Sequence, residues 1–171
     1  MTFMYFGYGS NMLIKKLKDR CSSAEKIEPT TNSQHMIRNH AFRFHKVSDD
    51  GSSKGDAMET KNADSIVYGV LFSIEEEEKS KLDKAEGLGY GYEEKIVDVI
   101  DEKTTEVITA VTYYATRINP DLEPYDWYKL QTVKGARDNN LPVDYIKKIE
   151  DMSSKPDNNE ERRNRAELFL E

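Results

Sequence analysis

Eight consecutive residues, Tyr5-Phe6-Gly7-Tyr8-Gly9-Ser10-Asn11-Met12, are the densest chemical signal in the chain. An aromatic stretch runs into glycines and then into residues suited to a helix start. Such a turn aims free backbone N–H groups at one spot, with a helix dipole behind them. That arrangement suits a carboxylate, a phosphate or a developing oxyanion. An ordinary tight turn with a capping asparagine reads the same way. Gly7 and Gly9 match G-x-G, but Met12 stands at the third glycine position of a dinucleotide fingerprint, and no Gly-Lys-Ser/Thr follows as in a P-loop.

The second signal is Leu82-Asp83-Lys84-Ala85-Glu86-Gly87. A glutamate in the last turn of a helix faces the negative end of the macrodipole. That placement, reinforced by burial, raises its affinity for a proton, as a general base working near neutrality requires. A solvated glutamate paying a small electrostatic penalty is the plainer alternative.

Other chemistry finds less support. His35, His40 and His45 are spaced by five, which fits neither a helical i, i+4 pair nor one strand face, so no metal site is read from them. Cys21 has no histidine nearby in sequence. Ser10 lacks a G-x-S-x-G elbow, because Met12 stands two residues on. Tyr90, Tyr92, Tyr113, Tyr114, Tyr125 and Tyr128 crowd the second half, either as a polar pocket wall or as half-buried sheet residues.

The elements that must position these groups follow from pattern. Thr2 to Tyr8 reads as a strand, and Ser10 to Arg20 as a helix capped by Ser10 or Asn11. Met36 to Val47 reads as one or two strands. The polar stretch Ser48 to Ser65 reads as a mobile surface loop with a short element around Gly55 to Glu59. Ile66 to Phe72 is an apolar strand. Ser73 with Glu76 resembles a capping box opening a helix that Gly87 ends, and Glu75 to Glu78 fall in its first turn. Strands follow at Glu94 to Ile100 and Glu106 to Ala115, and helices at Tyr125 to Asp138 and Val143 to Met152. Residues 153–171 form a polar tail in which Glu160 to Leu170 can be helical. This irregular mixture predicts an α+β domain over residues 1–152.

Composition excludes several classes. The 171 residues suffice for one core, and 32 Asp and Glu against 25 Lys and Arg give a net charge of -7. Nucleic acid is therefore a poor partner. No apolar run reaches the ~20 residues of a membrane span. A lone cysteine and no signal peptide predict a cytoplasmic protein in a reducing compartment.

Taken in order, these segments resemble the γ-glutamylcyclotransferase family. Tyr5 to Met12 is similar to its Y-x-x-Y-G-S-N-[LM] loop, Val67-Tyr68-Gly69-Val70 to its V-[WY]-G-V strand, and Leu82 to Gly87 to its L-D-x-x-E-G helix end. Tyr128-Lys129-Leu130 to Gly135-Ala136-Arg137 and Leu141-Pro142-Val143-Asp144-Tyr145 resemble its Y-x-x…G-A…G-L-P-x-x-Y segment, chiefly that of the γ-glutamyl-amino-acid branch. The match spans about residues 3 to 152. It departs at Gly55-Asp56-Ala57-Met58-Glu59, which is acidic where the family has a glycine-alanine stretch.

The resemblance implies a small mixed β-barrel, closed or nearly so, flanked by helices. It implies an enzyme of γ-glutamyl and glutathione metabolism that needs no cofactor and no metal. Glu86 would be its acid/base, and Tyr5, Tyr8, Gly9, Ser10, Asn11, Tyr92 and Tyr128 would bind the small-molecule γ-glutamyl substrate. The substrate's own α-amine would displace an amino acid and leave 5-oxoproline. The alternatives are the same chemistry on γ-glutamyl amines or a γ-glutamylated metabolite, or a domain that only binds such ligands. A homodimer is compatible with this reading.

Overall fold

A computed structural model describes all 171 residues. Strands β1 (Thr2–Gly7), β2 (Glu25–Ile27), β3 (His35–Arg38), β6 (Ile66–Glu75), β7 (Tyr92–Asp101) and β8 (Val107–Ala115) form the main sheet. Its order is β1-β8-β7-β3-β6-β2, and β1 also pairs with β6. The pairings thus return to their start, and five strands close into a barrel with β2 added along β6. The β1–β8 contact is parallel at Tyr5↔Val111, and the other pairs are antiparallel. The barrel is mixed, as the resemblance implied.

β6 is the hub because its apolar run is covered on both faces; Val67, Val70, Leu71, Phe72 and Ile74 are all buried. β7 alternates instead, with Val97 and Val99 inside and Ile96 outside. Helix α1 (Ile14–Arg20) and helix α3 (Asp126–Asp138) flank the barrel, with α2 (Lys79–Glu86) between β6 and β7. Helices α4 (Val143–Glu150) and α5 (Glu160–Glu167) follow α3. At Gly135 of α3, an added Cβ would lie 2.8 Å from Met12 Cβ, so glycine is what lets this helix press on the Tyr5–Met12 segment. No helix is long and apolar enough to cross a membrane.

Three local expectations give way to tertiary structure. Ser73 does not cap a helix: β6 runs on to Glu75, pairing Met4↔Ser73 and Phe3↔Ile74, because burying Ile74 against β1 outweighs a local cap. α2 starts at Lys79 after a 3-10 turn, and Glu78 instead accepts backbone and hydroxyl bonds from Ser22 and Ser23. Neither Ser10 nor Asn11 caps α1; a 3-10 turn over Ser10–Met12 precedes the helix, and both side chains are used elsewhere.

Residues 48–65 are not a free loop either. Strand β5 (Ser53–Glu59) forms a hairpin with β4 (His40–Val47), and Gly55, Asp56 and Ala57 are buried. The short element expected around Gly55 to Glu59 lies within this strand, whose acid is satisfied internally: Asp56 accepts from Ala115 N at 2.8 Å and pairs with His45 Nε2 at 2.6 Å.

Candidate active site

The β1 end, the end of α2, the β4–β5 hairpin and α3 meet around one cavity of about 160 Å³. Its wall includes all eight residues singled out from sequence: Tyr5, Tyr8, Gly9, Ser10, Asn11, Glu86, Tyr92 and Tyr128. Arg20, Lys46, Lys54, Gly55 and Tyr113 complete much of the remainder.

Glu86 is the last residue of α2, and Gly87, at φ 72°, ends the helix in the left-handed conformation. The Glu86 side chain is 14% exposed. Its Oε1 accepts from Asn11 Nδ2 at 2.6 Å and from Arg20 Nη1 at 2.9 Å. Arg20 Nη1 also donates to Asn11 Oδ1 at 2.9 Å, which closes a three-residue cluster. No donor in the chain reaches Oε2, which is left to accept a proton.

The Tyr8–Asn11 segment supplies the electrophilic side. The backbone N–H groups of Tyr8, Gly9, Ser10 and Asn11 donate to no acceptor in the chain, while the next two, of Met12 and Leu13, bond back to Gly9 O and Ser10 O. Four consecutive free donors beside a cavity are a site for a carboxylate or an oxyanion.

The tyrosines act as walls whose hydroxyls are engaged. Tyr5 Oη accepts from Asn11 Nδ2 at 2.9 Å, Tyr8 Oη donates to Tyr113 O, and Tyr92 Oη donates to Gly55 O. Tyr128 Oη accepts from Gly55 N at 3.1 Å. Burial pushes the Tyr5, Tyr8 and Tyr92 phenols well above their ordinary range, and takes Tyr128 up to about 12. All four therefore stay neutral. Of the other tyrosines, Tyr113 joins the wall, whereas Tyr125 stacks on Trp127 and Tyr90 is 80% exposed.

Sequence reasoning missed the cations. Lys16 is buried behind the loop, donating from Nζ to Ser10 Oγ at 2.8 Å and to Gln131 Oε1 at 2.6 Å. Desolvation lowers it from 10.5 to about 7. Ser10 thus has a basic neighbour that its sequence context did not reveal. The i, i+4 spacing of Lys16 and Arg20 on α1 was the available signal, since it sets both on one face toward the loop. Lys54 Nζ bonds Asp50 and Ser52 and lies 5.1 Å from the Tyr128 ring centre; Lys46 Nζ lies 4.5 Å from that of Tyr92.

The three histidines are all buried but in separate surroundings: His45 on Asp56, His40 between Arg38 O and Lys95 Nζ, and His35 in β3. No three His, Cys, Asp or Glu side chains converge on a point that could hold a metal. Cys21 is buried, its Sγ near Glu78 O at 3.8 Å and away from the cavity.

Comparison with known proteins agrees with this architecture. The AIG2-like family pattern matches residues 66–149. The chain is 27% identical over 157 residues to a bovine γ-glutamylcyclotransferase, covering 86% of this chain and 77% of that protein. The human counterpart is 26% identical over the same shares. The solved structure of a γ-glutamyl cyclotransferase superposes with a TM-score of 0.83 at 22% identity, covering 98% of this chain and 99% of the other. A human protein solved as uncharacterised gives 0.84 at 22% identity, with 99% of each chain covered. In sequence pattern and in fold, the chain bears the γ-glutamylcyclotransferase family likeness that its motifs carry.

Proposed function

We infer that the chain is a γ-glutamylcyclotransferase, an enzyme that closes a γ-glutamyl amide on itself to give 5-oxoproline and a free amine. The observation that carries this is Glu86 Oε2, free of protein donors, in the same cavity as the four free N–H groups of residues 8–11. The substrate's α-ammonium would give a proton to Glu86. The α-amine nitrogen then attacks the γ-carbonyl carbon, and charge developing on the carbonyl oxygen is met by the loop N–H groups. Glu86 returns the proton to the departing nitrogen as the amide C–N bond breaks, and the second proton left on the ring nitrogen passes to the released amine, which departs as an ammonium. No water is consumed and no cofactor enters. Holding both reacting groups in one molecule can contribute ~7 kcal/mol or more.

The single, buried Cys21 suits the reducing cytoplasm.

One observation favours a second reading. Ser10 Oγ lies 2.8 Å from Lys16 Nζ, whose lowered proton affinity suits a base, so the pair resembles a Ser-Lys nucleophile and would make an amidase. Mass spectrometry of γ-glutamyl-alanine turned over in ¹⁸O-water decides between them. Cyclotransfer yields unlabelled 5-oxoproline and survives Ser10→Ala. An amidase yields ¹⁸O-glutamate, is abolished by Ser10→Ala, and would refute the cyclotransferase reading.

A further inference from the structure

Two lysines of the β4–β5 hairpin line the cavity. In the hairpin register Lys46 stands directly opposite Lys54, so their side chains share one face. Like charges at such a position are destabilising. The pairing arises from a bulge between Phe44 and Lys46, where β4 carries one residue more than β5. Lys54 is compensated by Asp50 at 2.8 Å. Lys46 is not: it is 9% exposed, and its ammonium has no ion pair and no hydrogen bond, only the Tyr92 ring. Space is kept for it by Gly91, at φ 123°, where a Cβ would come within 3.0 Å of Lys46 Cε. A buried cation that no carboxylate touches, with Asp49, Glu86 and Asp50 acting on it only at a distance, opposite a second cation and lining a cavity, is arranged to meet an anion that arrives with a ligand.

We propose that Lys46, backed by Lys54, binds a carboxylate on the leaving group and thereby selects γ-glutamyl amino acids over γ-glutamyl amines. The proposal rests on the cyclotransferase reading. The direction follows from the substrate's covalent structure. Its α-ammonium and α-carboxylate share one carbon, so both lie at the Glu86 and loop end once the ammonium meets Glu86. The leaving group lies across the scissile amide, toward the hairpin. Asp56, which from sequence set an acid on this side, is turned away onto His45 and Ala115 N. The hairpin therefore offers the leaving group positive charge.

The test compares kcat/KM for γ-glutamyl-alanine and γ-glutamylethylamine, which differ in that carboxylate, with 5-oxoproline as readout. Wild-type protein should prefer the alanine compound. Lys46→Met should cut that preference about 10- to 100-fold, mainly through KM, and Lys46→Arg should restore most of it. Equal wild-type kcat/KM for the two compounds overturns the proposal whatever the variants do. So does a parallel loss on both compounds in Lys46→Met, which would assign Lys46 to the glutamyl end or to folding. If neither compound yields 5-oxoproline with wild-type protein, the cyclotransferase reading itself fails.

Discussion

Replacing Glu86 by Gln isolates the proton transfer from everything else the residue does. Gln keeps an oxygen where Oε1 accepts from Asn11 at 2.6 Å and Arg20 at 2.9 Å, so the cluster and the substrate pose persist. What disappears is an acceptor for the ammonium proton. A positioned acid/base contributes ~10²- to 10⁴-fold, or about 3–5 kcal/mol on the barrier. The variant should therefore lose at least a hundredfold in kcat while KM changes little. Glu86→Ala makes the contrast. It also strips Arg20, whose side chain is only 28% exposed, of its charge partner, so KM should rise and thermal stability should fall along with kcat. Steady-state kinetics from pH 6 to 9, with melting curves as a folding control, read out both. A Glu86→Gln kcat within tenfold of wild type would show that the proton goes elsewhere and would remove Glu86 from the mechanism.

Three further outcomes follow. Burial takes Lys16 from 10.5 to about 7, so between those values the unfolded chain binds a proton that the folded chain does not, and stability rises with pH. Urea unfolding should therefore show wild type gaining about 2–3 kcal/mol on Lys16→Met between pH 7.5 and 9.5, and a pH-independent difference would contradict it. Blocking the substrate's α-amine by acetylation should stop the reaction, whereas release of N-acetylglutamate at a comparable rate would mean hydrolysis. Crystals grown in formate or sulfate should hold an anion against the N–H groups of residues 8–11; an anion that instead bypasses them for surface lysines would count against the loop.

The local geometry of the candidate site was more legible than the fold around it, and for a physical reason. The Tyr5–Met12 turn and the Leu82–Gly87 helix end are local structures, written in residues whose backbone demands show in sequence. Both reappear, joined by the Asn11–Glu86 bond that no local pattern could announce. Barrel closure depends on long-range pairings such as Gly7↔Val70 and His35↔Asp101, which came from the family resemblance and not from periodicity. Of β5 only a short element around Gly55 to Glu59 was legible, and its burial was not, because Asp56 finds its partners on β4 and β8. The cations were hidden by habit: Lys and Arg are so often solvated that Lys16, Arg20, Lys46 and Lys54 drew no attention in a chain of net negative charge.

The C-terminal helix contributes nothing to the cavity wall, yet it bears on the loop's chemistry through one amide. Ala166 O in α5 accepts from Gln131 Nε2 at 2.9 Å, which leaves Gln131 Oε1 to face Lys16 Nζ, and Lys16 in turn holds Ser10. The carbonyl of a tail residue thus fixes which way a buried amide is turned. Were that amide reversed, an N–H would point at an ammonium, and the support behind the anion loop would become repulsion. The contact is made through a main-chain oxygen, so it does not depend on which side chain stands at position 166. What matters there is that a helix docks at that height on α3. The tail thus acts as a strut behind the candidate site, held in place by Asp157, which accepts from Trp127 Nε1 and from Arg162.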